Sequence, residues 1–242
     1  MICLAIDVSG RALSGALAQS DSGSRRLLGE FCLDTGKNHS LALLPQVDAL
    51  LRNCGLTLAE MDGFAVTVGP GSFTGLRIGV ATVKAWCDAL DKPAVAVSSL
   101  DAMARAIDRP GLVCPIFDAR RSQLYAALFR DGERLTTDLA LEPGELLREL
   151  EKYPEPVTFG GDGLAPWEDQ LRQGLGPRFR AVSQERRLNM APAAAMIGLG
   201  LLEEGKAIPG SQLLPVYLRL SEAEEKLLQK QAAESEQNHG RL

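Results

Sequence analysis

The sequence predicts an α/β fold made of two similar lobes, each with a mixed sheet flanked by helices. The first observation behind this prediction is an internal repeat. An ungapped shift of 111 residues places Cys3 on Cys114 and Asp7 on Asp118, and it aligns the strand patterns that follow. The second observation is that apolar strand patterns and amphipathic helical patterns alternate along the chain. The predicted parts are a first lobe at 1–105, a second lobe at 106–220 and a charged, frayed tail at 221–242.

The first half is predicted to contain three strands, then a helix, a strand, a helix, a strand and a helix. The predicted helices have apolar residues three and four positions apart, and the predicted strands are short apolar runs. A capping box from Thr57 to Glu60 predicts one further short helical turn. The predicted elements are strands at 2–7, 13–18, 26–33, 64–68 and 94–97, with helices at 39–53, at 73–90 and from Ser98 onward.

The second half repeats the opening of the first. Two apolar runs predict strands, and prolines at helix-start positions predict two helices, the later one ending at Gly205. The predicted elements are strands at 112–118 and 123–129 and helices at 143–151 and 192–204. The duplicated element order is that of the actin, sugar-kinase and heat-shock-chaperone (ASKHA) superfamily. By analogy with that superfamily, Asp7 and Asp118 at two strand ends would flank a nucleotide.

Residues 69–79 read Gly-Pro-Gly-Ser-Phe-Thr-Gly-Leu-Arg-Ile-Gly and join a predicted strand to a predicted helix. The segment is not a Walker loop, because Gly75 is followed by Leu76 rather than lysine, and it does not match the dinucleotide fingerprint. A glycine turn at a helix start suits a phosphate, a close-packed turn or a partner's backbone, and the sequence leaves all three open. The candidate nucleotide or phosphate contacts are Asp7, Ser9, Gly69, Gly71, Ser72 and Asp118.

The bulk composition excludes several classes of protein. Hydrophobic residues make up 45% of the chain and charged residues 24%, and no apolar stretch is long enough for a bilayer span, so we expect no membrane role. No basic leader precedes the first strand, which favours the cytoplasm. The net charge of −5 argues against an independent nucleic-acid binder. Five cysteines without a Cys-x-x-Cys pair indicate buried thiols.

Histidines are too few for zinc or hydrolase chemistry. The chain has only His39, at a predicted helix start, and His239, in the tail. Two such residues cannot form a zinc cage, and no serine or cysteine has a second histidine in reach. Asp7 and Asp118 could still hold magnesium together with a nucleotide. We therefore expect no metal site and no tightly bound cofactor, with weak nucleotide binding left open.

Seven motifs in order give the chain a specific resemblance to a known family. The motifs are Ala5-Ile6-Asp7-x-Ser9, Asn38-His39-Ser40-x-x-Leu43-Leu44-Pro45, Gly69 to Gly79, Ser98-Ser99-Leu100, Asp118-Ala119-Arg120-Arg121, Gly160-Gly161-Asp162-Gly163 and Pro215-x-Tyr217-Leu218-Arg219. Together they resemble the bacterial TsaB (YeaZ) family from the first strand to about residue 225. The resemblance implies a non-catalytic subunit of the complex that transfers a threonylcarbamoyl group to N6 of the adenosine next to the anticodon, in tRNAs reading codons that begin with adenine.

The resemblance also implies partners and an interface. The partners would be a TsaD-like catalytic subunit, a TsaE-like ATPase and, for the chain alone, a second copy. Transfer RNA would bind only through the complex, and ATP or ADP would bind weakly at the partner junction. The helices at 39–53 and 73–90 carry more apolar surface than one core face needs, and the resemblance assigns the contact to them. The predicted interface residues are His39, Leu43, Val47, Leu50, Phe73, Leu76, Arg77, Val80 and Lys84.

The residues leave two alternatives open. The apolar residues on both sides of these helices could simply be buried inside the chain. A rival function is a stand-alone ATP-dependent phosphotransferase or ATPase of the ASKHA superfamily that uses Asp7, Asp118 and the glycine segment. That rival predicts ATP turnover by the isolated chain.

Overall fold

The computed structural model describes residues 1–219 apart from Ser22 and Lys37. The predicted tail at 221–242, with His239, lies outside the described residues. The elements of the first lobe are β1 (Ile2–Asp7), β2 (Leu13–Asp21), β3 (Ser24–Leu33), α1 (His39–Asn53), β4 (Gly63–Gly69), α2 (Phe73–Leu90), β5 (Ala94–Ser98) and α3 (Ser99–Ile107). The elements of the second lobe are β6 (Leu112–Arg120), β7 (Gln123–Ala126), β8 (Phe129–Arg130), β9 (Glu133–Arg134), β10 (Leu139–Leu141), α4 (Pro143–Leu150), β11 (Val157–Gly160), α5 (Leu164–Leu175), β12 (Phe179–Ala181) and α6 (Ala191–Glu203).

The two sheets have the same strand order, which confirms the predicted duplication. The first sheet runs β3-β2-β1-β4-β5, and the second runs β10-β7-β6-β11-β12 with β8 and β9 added beside β6. In each sheet the opening strand pairs antiparallel with the next strand and parallel with the strand after the first long helix. Among the described residues, no helix has both the length and the apolar character that a bilayer crossing requires.

Several predicted helix boundaries agree with the structure, because the capping residues that set them lie next to the helix in the sequence. Both α1 and α2 have the predicted bounds, and their side-chain caps are Asn38 and Ser72. The predicted strand at 123–129 is instead divided into β7 and β8, although both continue in one register against β6. The break lies opposite Pro115, which has no N–H group to donate to a neighbouring strand.

The strand pairing in the two sheets shows which strands the ungapped shift aligns correctly. The shift of 111 residues is correct for β2 and β7, because Leu13 and Leu124 both face the outer side of their sheets. For β1 and β6 the shift of 111 residues is too large by one residue. Leu4 pairs with Phe64 in the first sheet, and Cys114 pairs with Phe159 in the second, so Leu4 rather than Cys3 corresponds to Cys114.

The predicted equivalence of Asp7 and Asp118 is therefore wrong by one residue. Successive side chains of a strand alternate between faces, so a slip of one residue moves a side chain to the opposite face. Asp7 shares the inner face with Cys3 and is fully buried, whereas Asp118 follows Cys114 on the outer face and is exposed. The two carboxylates do not form a symmetric pair around one nucleotide.

Among the described residues, three apolar clusters form the core. The N-terminal cluster, which includes Leu4 and Val83, lies between the first sheet and α1 and α2. The C-terminal cluster, which includes Phe159 and Leu171, lies between the second sheet and α4 and α5. The central cluster lies between the two sheets, where α3 packs against β6 and β11 while α6 packs against β1, β2 and β4. Each lobe therefore supplies a helix that packs on the inner face of the other lobe's sheet.

Candidate functional site

The carboxylate of Asp7 is sealed inside the molecule at the end of β1. Its Oδ1 atom accepts hydrogen bonds from Ser9 N at 3.0 Å, from Ser9 Oγ at 2.6 Å and from Thr67 Oγ1 at 2.6 Å. Its Oδ2 atom has no hydrogen-bond partner among the described residues. Burial raises the pKa of Asp7 above 3.8, and the hydrogen bonds from Ser9 and Thr67 oppose that rise. Asp7 and Ser9 thus form an internal polar contact that no solvent-side ligand reaches.

This burial predicts a pH-dependent effect of Asp7→Asn. A carboxyl group whose pKa is higher in the folded state than in the unfolded state contributes its full stabilisation below the unfolded pKa, near 3.8. This contribution to the free energy of unfolding is lost as the pH rises through the folded pKa. The free energy of unfolding of the wild type minus that of Asp7→Asn should therefore fall as pH increases above about 4. Urea unfolding of both proteins across this pH range measures the difference.

The matched control for this experiment is Asp169→Asn, which changes an exposed carboxylate on α5. The titratable groups that interact with Asp7 are His39, Asp162 and Cys32, and all three are present in both variants. A difference between wild type and Asp7→Asn that stays constant with pH would contradict a raised pKa at Asp7.

Asp162, which was not among the predicted site residues, links the two lobes. Its Oδ2 atom accepts a hydrogen bond from Arg11 N at 3.0 Å, and its Oδ1 atom accepts one from Asp118 N at 3.2 Å. Burial raises the pKa of Asp162, the main-chain hydrogen bonds from Asp118 and Arg11 oppose that rise, and the nearby charges of Asp118 and Asp7 add to it. The available sequence signal was the Gly-Gly-Asp-Gly motif, which places one carboxylate in a turn between a strand and a helix.

The glycine segment closes on its own chain. Ser72 N donates to Ser9 O at 2.6 Å, and a Cβ atom added to Gly71 would overlap the same oxygen. A Cβ atom added to Gly75 would overlap Val8 O. Ser72 Oγ accepts from Gly75 N at 3.3 Å and so caps α2. This geometry favours the close-packed turn among the three open interpretations, and it leaves no room for a phosphate between the segment and residues 8–9.

The position of Gly69 agrees with this interpretation. The Gly69–Pro70 peptide is cis, and Gly69 has φ of 129°. Val216 N donates to Val68 O at 2.7 Å, so the C-terminal segment packs directly beside the turn. Among the residues predicted to contact phosphate, Ser9 contacts Asp7, Gly71 and Ser72, whereas Gly69 packs against Val216.

Five of the predicted interface side chains are almost fully buried. The apolar stripes of α1 and α2 face the first sheet, so each of these side chains is at most 7% exposed. The five residues are Leu43, Val47, Leu50, Leu76 and Val80. The assignment of Leu43, Val47, Leu50 and Leu76 to the interface was wrong, because these side chains belong to the core, and a charge placed at Leu76 would disrupt folding. Val80 is 5% exposed and also lines a surface groove. The prediction that α1 and α2 meet a partner rests instead on the residues beside these stripes.

The exposed part of α2 borders a groove of about 500 Å³, which we call the α2 groove. It is lined by Arg77, Val80, Ala81, Lys84, Leu214, Pro215 and Tyr217. Leu214 is 66% exposed, although it lies in a mostly apolar lining. On α1, Leu41 is 77% exposed and Leu44 is 54% exposed. Apolar surface of this kind marks interaction sites in soluble proteins.

Arg77 and Phe73 form one wall of this region. The Arg77 guanidinium lies 3.9 Å from the centre of the half-buried Phe73 ring, and Arg77 Nε donates to the Tyr217 hydroxyl at 3.0 Å. The rings of Phe73 and Tyr217 are 4.5 Å apart. Arg77 is therefore held in place by two aromatic residues. The contribution of 214–217 was missed, although the Pro-x-Tyr-Leu-Arg motif marked this segment.

His39 begins α1 and is half-buried. Asn38 is the cap of this helix, because its Oδ1 atom accepts from Ser40 N at 3.1 Å. His39 Nε2 lies 3.2 Å from Arg11 O. Within the part of the chain that the structure describes, no group of three histidine, cysteine, aspartate or glutamate side chains is placed to hold a metal ion. The contact of His39 is therefore with the loop after β1.

Comparisons with known proteins agree on one family. The family model described as TsaD, tRNA N6-adenosine threonylcarbamoyltransferase, matches residues 33–158. A Bacillus subtilis relative named tRNA threonylcarbamoyladenosine biosynthesis protein TsaB is 35% identical over 238 residues, covering 96% of this chain and 100% of the relative. The solved structure of YeaZ from Pseudomonas aeruginosa is 27% identical, with a TM-score of 0.74 over 90% of this chain and 99% of that chain.

A more distant structure supports the fold alone. The activator of the 2-hydroxyisocaproyl-CoA dehydratase from Clostridium difficile with bound ADPNP is 11% identical, with a TM-score of 0.51. It covers 89% of this chain and 99% of its own. Together with the duplicated sheets, these similarities confirm the ASKHA fold class.

Proposed function

Because this chain belongs to the TsaB (YeaZ) family of tRNA threonylcarbamoyladenosine biosynthesis proteins, we propose that it is a non-catalytic subunit of the complex that transfers the threonylcarbamoyl group. In this role it dimerises with a TsaD-like catalytic subunit and supports the binding of a TsaE-like ATPase. The product is the modified adenosine next to the anticodon. The family model that matches half of the chain describes the transferase itself, so this chain resembles a catalytic relative over that part.

The α2 groove is the observation that carries this proposal. It presents apolar side chains and the two cations Arg77 and Lys84 at the surface, whereas the carboxylate of Asp7 is sealed and the glycine segment is closed on residues 8–9. An apolar groove with a charged border is suited to a protein partner. Two of the three features that the rival phosphotransferase would use, Asp7 and the glycine segment, are engaged inside the chain, and only Asp118 is exposed, so this geometry does not favour the rival function.

The other parts of the proposal follow from charge and surface. The exposed side of α1 and α2 mediates self-association when the catalytic subunit is absent, because no partner then buries the exposed side chains of Leu41 and Leu44. A net charge of −5 makes this chain a poor tRNA binder by itself, so tRNA binds through the assembled complex. The complex acts in the cytoplasm. In this proposal the chain has no tightly bound cofactor, and ATP or ADP binds only weakly at the subunit junction.

Reconstitution tests the function directly. We expect threonylcarbamoyl transfer to an unmodified tRNA that reads adenine-first codons only when this chain is added to a TsaD-like subunit, a TsaE-like ATPase and the enzyme that makes the donor. The chain alone should neither modify tRNA nor hydrolyse ATP. Transfer at the full rate without the chain would overturn the proposal, and ATP turnover by the isolated chain would return attention to the rival function.

A further inference from the structure

The loop after β1, residues 8–11, contacts three separate parts of the molecule. Ser9 O accepts a hydrogen bond from Ser72 N at 2.6 Å, immediately before α2. Arg11 O lies 3.2 Å from Nε2 of His39, the first residue of α1. Arg11 N donates to Asp162 Oδ2 at 3.0 Å, in the second lobe. The loop therefore touches the beginnings of both helices that form the exposed face and also touches the opposite lobe.

The Asp162 carboxylate holds this loop from the second lobe. Its two oxygens accept from Arg11 N, in the loop after β1, and from Asp118 N, near the end of β6. Asp118 N is fixed by its strand, so the carboxylate ties the main chain of the loop after β1 to β6 rather than joining two mobile side chains.

We propose that Asp162 is a positioning residue that couples the packing of the two lobes to the shape of the α2 groove. The coupling runs from Asp162 through Arg11 and residues 8–11 to the first turns of α1 and α2. Ser72, which receives this contact, precedes the groove residue Arg77 by little more than one helical turn. A partner that binds the groove when the Asp162 hydrogen bonds are formed will stabilise those hydrogen bonds. Loss of the hydrogen bonds will in turn weaken the binding of the partner. The partner in this inference is the TsaD-like subunit, so this part rests on the proposed function.

Two substitutions of Asp162 distinguish the loss of one of its hydrogen bonds from the loss of both. Asp162→Asn replaces one accepting oxygen with a donor and so breaks one of the two hydrogen bonds, whereas Asp162→Ala removes both. The matched control is Asp131→Asn, because Asp131 Oδ1 also accepts a main-chain hydrogen bond, from Gly111 N at 2.8 Å, in an exposed turn of the second lobe. The measurements are amide hydrogen exchange on the full chain and its affinity for a TsaD-like subunit by calorimetry.

We expect faster amide exchange in both Asp162 variants, confined to residues 8–11 and to the first turns of α1 and α2. The affinity for the TsaD-like subunit should fall about tenfold for Asp162→Ala and less for Asp162→Asn, within the usual range of coupling between sites. Asp131→Asn should change exchange only around its own turn and should leave the affinity unchanged. If the alanine variant does not fold, the asparagine variant alone still tests the prediction.

Three results would overturn the coupling. They are unchanged exchange at residues 8–11, exchange that rises uniformly through the whole chain, and an affinity that is unaffected while exchange at both helix starts increases. A uniform rise would show that Asp162 contributes only to general stability. A wild-type chain that binds no TsaD-like subunit would instead overturn the proposed function, while the exchange pattern would still decide whether Asp162 links the lobes to the helix starts.

Discussion

Arginine in place of Ala81 is expected to abolish the complex with a TsaD-like subunit while leaving the chain folded. Ala81 is exposed on α2 and lines the α2 groove between Arg77 and Lys84. A third cation at this position fills the groove and is left without a counter-charge when a partner covers it. Burying an unpaired charge at an interface costs about 3–5 kcal/mol, which weakens affinity by about a hundredfold or more. Calorimetric titration measures the loss.

Ala165→Arg is the matched control for this experiment. Ala165 is exposed near the beginning of α5 in the second lobe, away from the groove, so the same change should leave affinity at the wild-type value. Circular dichroism and the urea midpoint establish that both variants are folded. Undiminished binding by a folded Ala81→Arg protein would remove the α2 groove from the interface.

Gly75→Ala is expected to destabilise the chain strongly, although it adds only one methyl group. The new Cβ atom would overlap Val8 O, which is a main-chain atom and cannot move without shifting the end of β1. Overpacking of this kind costs typically 1–3 kcal/mol, and a main-chain obstacle places the cost at about 3 kcal/mol or above. The urea unfolding midpoint should fall accordingly, with an unchanged slope.

Gly144→Ala provides the opposite result in the same protein. Gly144 lies in α4, and a Cβ atom added there has no heavy atom within 4 Å apart from its chain neighbours and helix backbone. Alanine in a helix is favoured over glycine by roughly 0.5–1 kcal/mol, so this variant should be slightly more stable than the wild type. Equal midpoints for Gly75→Ala and Gly144→Ala would contradict the close packing of the glycine segment against residues 8–9.

The bounds of the long helices were predictable because their signals are local. Asn38 and Ser72 are caps that can be recognised without any knowledge of tertiary packing. The face that each helix buries was not predictable in the same way. Periodicity indicates that Leu43 and Val47 share a stripe, but only the position of the sheet decides whether that stripe is core or surface. This is why buried residues were assigned to the interface.

The remaining differences arise from short elements and from small changes of register. β11 and β12 have four and three residues, too few for a clear alternation, so the region around them gave no strand prediction. An ungapped comparison cannot detect that β1 and β6 differ by one residue from β2 and β7, and this made Asp7 and Asp118 equivalent. Asp162 joins main-chain groups far apart in the sequence, and such contacts leave no pattern in a single chain.

The exchange of helices between the lobes has a consequence for synthesis on the ribosome. The first sheet is complete in sequence at Ser98, yet the helix that packs on its inner face ends at Glu203. At 5–20 residues per second, the roughly hundred residues between them take about 5–20 s to translate. During this interval the nascent chain carries an apolar sheet face without its native cover. The order of translation therefore delays the folding of the first lobe until most of the second has been made.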